Sequence, residues 1–286
     1  MVNVKVFGMT EKELATAPSI YSSELFKNKR VLITGGGSGI GKATAWLLGR
    51  LGAQVVIVGR KLEKLEKAAA SMNEAGINVN YRTVNIRDHE AVNSMVADLW
   101  QSIGPIDVLV NNAGGQFPQN ALDFSPNGWK AVIDNNLNGT WFMMQALAKR
   151  WSSQCLAGNI INIVAVIDRG MPGIAHTCAA RAGVIYAAKT VAVEWAPLNI
   201  RVNCIAPGVT FTEGMEVYPE AAVARFTESN PMRRFGSAWE IAQAVAFLGS
   251  EASEFMTGEV LTLDGGGKLW GELWTQGKPD YFKTAG

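Results

Sequence analysis

Metal-binding and disulfide-forming residues are scarce in this chain. Two histidines and three cysteines (Cys155, Cys178 and Cys204) are spread over 286 residues. They make neither a metal-ligand cluster nor a cystine framework, so no metal site is expected, and reduced thiols fit a cytoplasmic protein. An excess of either charge is also lacking: 26 Lys and Arg stand against 25 Asp and Glu. No basic segment stands out, which excludes nucleic acid as an expected partner. A charged fraction of 18% beside 48% hydrophobic residues argues against disorder. Long apolar runs are missing as well; none approaches the ~18 residues of a membrane span. The N-terminal stretch "MVNVKVFGMTEKELATAP" lacks a signal-peptide core, and the final "FKTAG" is no peroxisomal address. The expectation is a cytoplasmic protein without a membrane partner.

From about residue 29 short β-branched runs alternate with longer helical patterns. "RVLITGG", "AQVVIVGR", "NVNYRTVNI", "IDVLVNNAG", "NIINIVAV", "IRVNCIAPG" and "EVLTLDGGG" read as buried strands. Between them lie helical segments such as "GKATAWLLGRLG" and "HEAVNSMVADLWQSIG". Right-handed crossovers turn this alternation into a parallel sheet with helices on both faces. The expected fold is therefore α/β: one doubly wound, Rossmann-type, seven-stranded parallel sheet over residues 29–267. Residues 1–28 form an N-terminal extension and 268–286 a C-terminal tail. The segment 209–237 breaks the pattern, and insertions of this kind usually cover a site.

"TGGGSGIGKA" follows the first strand and opens a helix. Gly35, Gly39 and Gly41 stand where a tight turn, close phosphate approach and close helix packing each exclude a side chain. A strand before, a helix after and a second strand next make this a dinucleotide cradle. About twenty residues on, where an enzyme selecting NAD carries an acid, the chain reads Gly59, Arg60, Lys61. Two cations beside the adenosine ribose favour a 2′-phosphate, which selects NADP(H).

The spacing T-G-x-x-x-G-x-G resembles that of the short-chain dehydrogenase/reductase family. So do "NNAGG" at 111–115, "NNLNGT" at 135–140, "RVNCIAPG" at 201–208 and "TGEVLTLDGG" at 257–266. The likeness covers about residues 25–267. It implies that the cofactor is held by Thr34, Gly35, Gly37, Ser38, Gly39, Ile40 and Gly41, with Arg60 and Lys61 at the ribose. It adds Asn85 and Ile86 after the third strand, Asn112, Ala113 and Gly114 after the fourth, and Pro207, Gly208, Val209 and Thr212 around the nicotinamide. Asn136 becomes the family's helix-borne asparagine, bonding backbone and organising water. A homotetramer built through two long central helices is implied too, with Trp270 and Trp274 as candidates to cover a neighbouring subunit.

One segment departs from that pattern. The family's catalytic Tyr, its Lys four residues later and its Ser are replaced here by Thr177, Arg181 and the pair Val164 and Ala165. Positions i and i+4 share a helix face, so Thr177 and Arg181 point into one site. Tyr186 with Lys189 does not rescue the pair, because Tyr186 points ~140° away from Arg181 around the helix. A threonine hydroxyl is a very weak acid, yet it donates a hydrogen bond. Reduction of a conjugated C=C bond in a thioester asks for that donor at the enolate oxygen. Arg181 can hold ribose hydroxyls but cannot act as a base. "NNAGGQF" and "HTCAARAGV" place the likeness in the enoyl- and dienoyl-CoA reductase branch, which implies an acyl-CoA-like substrate bordered by Gln116, Phe117 and Thr177. His176 is either a proton donor or a hydrogen-bonded histidine at the helix entry. Two other readings stay open: an alcohol or carbonyl dehydrogenase using a different acid, and a cofactor-binding protein without turnover.

Overall fold

Residues 7–271 are described in the structure, a computed structural model. In chain order they form α1 (Glu11–Thr16), β1 (Arg30–Thr34), α2 (Gly39–Arg50), β2 (Gln54–Gly59), α3 (Leu62–Glu74), β3 (Val79–Thr83), α4 (His89–Ser102) and β4 (Val108–Asn111). There follow α5 (Pro126–Ile133), α6 (Gly139–Ser153), β5 (Gly158–Ile163), α7 (Ala175–Trp195), β6 (Ile200–Pro207), β7 (Thr210–Phe211), α8 (Glu220–Arg225), β8 (Gly236–Ser237), α9 (Ala238–Gly249) and β9 (Val260–Leu263). The expected seven-stranded parallel sheet is present, in the order β3-β2-β1-β4-β5-β6-β9. Val31 pairs with both Val55 of β2 and Val108 of β4, so the strand order reverses beside β1. Ligands of such sheets bind beyond the carboxyl ends of the strands at that reversal.

Alternate strand residues feed two cores, as the period of two requires. Val31, Ile33, Val55 and Ile57 pack with α2, α3 and α9, while Leu32, Val56, Val58 and Leu109 pack with α4, α6 and α7. The N-terminal segment joins the first core through Leu14 and Phe26, both fully buried. It is fastened there by polar bonds: Arg50 donates to the carbonyls of Leu14 and Ala17 at 2.9 Å, and Trp239 Nε1 donates to that of Pro18 at 2.8 Å.

Several of the helices start where a side chain takes up a free N–H group. Asp88 caps α4, Ser125 caps α5 ahead of Pro126, and Ser237 forms a capping box with Glu240 at the start of α9. Arg234 completes that last cap with two bonds to Glu240, at 2.9 and 2.7 Å. The β7–β8 pair closes the base of the 209–237 insertion directly before it.

Arg234 hydrogen bonds, together with bonds from Ser237, hold the Glu240 carboxyl at about 2 in the folded protein. A depressed carboxylate pKa adds stability above the unfolded value and loses it as pH falls through the folded one. Glu240→Gln is therefore expected to lower the melting temperature by a few degrees at pH 7. Melting curves of the two proteins should converge as the pH falls from about 4.5 toward 2.

Candidate active site

The end of β1 is stapled to the end of β4. Thr34 Oγ1 accepts from the backbone N–H of Asn112 at 3.0 Å and of Ala113 at 2.9 Å. Asn112 Nδ2 returns bonds to the carbonyls of Thr34 and Gly35, at 3.1 and 3.3 Å. Gly35 and Gly39 adopt φ of +67° and +52°, a backbone that a side chain strains. At Gly41 a Cβ would overlap both the Gly35 carbonyl and the Asn112 amide. The turn is thus a bare backbone cradle followed at once by α2.

A Cβ on Gly37 would meet the backbone of Lys64 at 3.3 Å, which brings the turn against the start of α3. Arg60 and Lys61 lie exposed at that start. Asn85 is exposed beyond β3, whereas Ile86 is 4% exposed and lies against Gly139. The Ile86 side chain therefore belongs to the core.

The first turn of α2 already holds an anion from the protein itself. Ser38 makes no side-chain cap, and Gly39 N–H donates to Glu213 Oε2 at 3.0 Å. Lys42 Nζ lies 3.6 Å from Glu213 Oε1 and 3.2 Å from Glu11 Oε1, and Trp46 Nε1 donates to Glu11 at 2.9 Å. Thr212, expected at the nicotinamide, stands over Gly39 next to this carboxylate, with its Cβ 3.5 Å from where a Gly39 Cβ would be. Nothing in the local sequence pattern signalled Glu213, because it arrives from the insertion.

The reacting end is built by α7, the loop after β4 and the junction of α5 with α6. That junction is a π-turn, Asp134–Asn138, whose extra residue turns Asn136 inward. Asn136 clamps Gly115, accepting from its N–H at 3.0 Å and donating to its carbonyl at 2.9 Å. Thr177 and Arg181 lie one turn apart on α7, 3% and 8% exposed. The Arg181 guanidinium presses on Gly114, and its Nη1 is buried without a hydrogen-bond partner. Burial brings its pKa down to about 10 against a smaller opposing effect of Cys204, so it remains a cation at neutral pH. Cys204 sits behind it as a buried thiol pushed up to about 12, mainly by desolvation.

His176 is wholly buried, with Phe117 edge-on at 4.7 Å and Phe124 at 4.5 Å between ring centroids. Its Nδ1 accepts from Thr177 N–H at 2.8 Å and lies 3.3 Å from Thr177 Oγ1. Desolvation lowers its pKa, opposed by the nearby carbonyls of Ile174 and Phe117. The ring is therefore neutral at physiological pH. Tyr186 is 74% exposed on the outer side of α7, with Lys189 over its ring. Val164, at the position of the family's serine, is core.

At the end of β6, Pro207 is buried, and a Cβ on Gly208 would lie 2.7 Å from Asp264 Cα. Val209 O accepts from Gly236 N–H at 3.0 Å, closing the insertion. A cavity of about 190 Å³ lies there between Val209, Asn230, Met232 and Asp264. The insertion also contacts the loop after β4: Gln116 donates to the hydroxyl oxygen of Tyr218, a residue the sequence pattern did not single out. Trp270 stacks under Arg233, and Arg169 donates to its carbonyl; Trp274 lies outside the described residues. Among the described residues there is no group of metal ligands, and no helix is long and apolar enough to cross a membrane.

The residues present fit a nicotinamide dinucleotide on two grounds. The cradle has room only for glycine, and a buried cation has an unused donor at the reacting end. Comparison with known proteins agrees. Residues 35–268 match the family model described as Enoyl-(Acyl carrier protein) reductase. A Bacillus subtilis (strain 168) protein named "Probable 2,4-dienoyl-CoA reductase", (2E)-enoyl-CoA-producing, is 40% identical over 84% of this chain and 96% of its own length. A 3-oxoacyl-acyl-carrier-protein reductase of Thermotoga maritima is 37% identical over 84% of this chain and 98% of its own. Among solved structures, a gluconate 5-dehydrogenase of Burkholderia cenocepacia J2315 in complex with NADP and tartrate superposes with a TM-score of 0.81. It is 32% identical over 86% of this chain and 98% of its own.

A carboxylate on the first turn of α2 competes with any phosphate that approaches the same N–H groups. Glu213→Gln is expected to tighten binding of the reduced nicotinamide dinucleotide on the order of tenfold, read by fluorescence titration, because a like charge leaves the cradle. Unchanged affinity would place the cofactor's phosphates clear of this carboxylate.

Proposed function

The chain belongs to the short-chain dehydrogenase/reductase family of oxidoreductases, and from that premise we propose that it uses NADPH to reduce the conjugated C=C bond of a trans-2-enoyl thioester. The observation that carries the reading is the buried pair Thr177 and Arg181, a hydrogen-bond donor and a cation where ketone reduction needs an acid.

In this reading the turn from Thr34 to Gly41 holds the diphosphate with its backbone. Arg60 and Lys61 meet the 2′-phosphate, and Asn112, Ala113 and Gly114 line the floor with Asn85 at the adenine side. Pro207, Gly208, Val209 and Thr212 face the carboxamide. The reduced nicotinamide supplies hydride to the β-carbon when bound. Negative charge then collects on the thioester oxygen, where the Thr177 hydroxyl donates a hydrogen bond. Arg181, one turn on, offers ribose donors and a positive field on the same side. Asn136 fixes Gly115, and Gln116 and Phe117 border the acyl group. Neutral His176 braces the first turn of α7 through the Thr177 N–H, and its Nδ1, 3.3 Å from the Thr177 hydroxyl, holds that hydroxyl in place until it turns to the substrate. The dienoyl-CoA name of one relative supports a conjugated acyl-CoA as the substrate class. Tyr186 and Val193, 74% and 78% exposed on α7, support assembly as a homotetramer through α6 and α7.

The first test follows NADPH absorbance with trans-2-decenoyl-CoA, with acetoacetyl-CoA as the ketone control. Oxidation is expected with the enoyl thioester alone; oxidation with the ketone alone would overturn the reading. Thr177→Val is expected to cost 10²–10³-fold in kcat, the loss typical of one oxyanion donor, while Thr177→Ser keeps most of it.

A further inference from the structure

The loop after β4, which borders α7, meets a tyrosine carried by the insertion. Tyr218 follows the short 3-10 turn Glu213–Val217 and is half-buried, its ring edge-on to Phe226 with centroids 5.2 Å apart. Its hydroxyl oxygen meets the side-chain amide of Gln116. Gln116 lies between residues fixed at the reacting end. Gly115 before it is clamped by Asn136, and Phe117 after it packs edge-on to His176. Gly114, one residue further back, lies against the Arg181 guanidinium. The insertion thus sets a phenol on the loop that borders Thr177 and Arg181. The one phenol on α7, Tyr186, points to solvent.

We propose that Tyr218 is the donor of the proton that completes the reduction at the α-carbon. The inference rests on the C=C reduction above and supplies its second half. Addition of hydride to the β-carbon moves the π electrons onto the thioester oxygen and leaves an enolate. The enolate then collapses: its electron pair forms a C–H bond at the α-carbon with the Tyr218 hydroxyl proton. The O–H bond breaks, its pair remains on the phenolate oxygen, and water restores the proton. Two surroundings suit the phenol to this step. Burial raises its pKa and keeps it protonated at neutral pH, while the Gln116 hydrogen bond works the other way and stabilises the phenolate as it forms. Because the amide N–H occupies a lone pair of the phenol oxygen, the O–H proton stays free to be given.

The experiment runs the full chain with NADPH and trans-2-decenoyl-CoA in D2O and reads product deuterium by NMR. Wild type is expected to place a single deuterium on one face of the α-carbon. Tyr218→Phe keeps the ring against Phe226 and is expected to lose about a hundredfold in kcat. KM and the NADPH dissociation constant should stay within about twofold of wild type, as for a group that acts only in the chemical step. Its α-deuterium should spread over both faces, because water then protonates the enolate. Thr177→Val should slow turnover with facial selectivity intact, since it acts before that step. Full activity in Tyr218→Phe, or slow turnover with unchanged selectivity, would overturn the proposal. A wild-type protein inert toward every enoyl thioester would instead overturn the C=C reading on which it rests.

Discussion

The Thr34–Asn112 staple is the constraint from which the rest of the site is suspended. Strands β1 and β4 are neighbours in the sheet, but the crossovers leave them on opposite sides, so a crevice opens between their carboxyl ends. One hydroxyl and one amide hold the two loops at fixed spacing across it. That spacing presses Gly41 against the Gly35 carbonyl and gives α2 its bare N-terminus. On the other side it fixes the glycine pair at 114 and 115, which Asn136 and Arg181 then grip from behind. The cofactor cradle and the reacting end are two sides of one staple.

Charge at the two ends is treated differently. At the cradle an incoming anion meets Glu213, so the α2 dipole and Lys42 are already occupied. At the reacting end the guanidinium of Arg181 is buried with an unused donor, a costly state unless a ligand group completes it. Arginine keeps its charge under desolvation that would neutralise many lysines, which lets the site hold a cation without a carboxylate beside it. A fixed cation and a threonine hydroxyl stabilise developing negative charge but move no proton. In the reduction proposed above, the proton for the α-carbon is assigned to another element, the insertion, which brings Tyr218 to Gln116.

Much of this was legible in the sequence. Seven β-branched runs separated by helical patterns determined the sheet, because buried parallel strands and crossover helices leave distinct periods. The glycine turn was readable because strained φ and close backbone approach admit no other residue. Helical phase alone put Thr177 and Arg181 on one face and Tyr186 on the other. The burial of His176 and Ile86 was not readable: it depends on Phe117, Phe124 and Gly139, which arrive from other parts of the chain.

The sequence by itself determined the sheet, the cradle and the identity of the groups on α7, since each follows from local period or local sterics. Only the tertiary structure decided which residues of the insertion come back to them: Glu213 to Gly39, 174 positions away, and Tyr218 to Gln116, 102 positions away. A segment without a repeating pattern carries no record of where it lands. Its side chains are placed by the β7–β8 pair and the capped start of α9, which close it over the crevice.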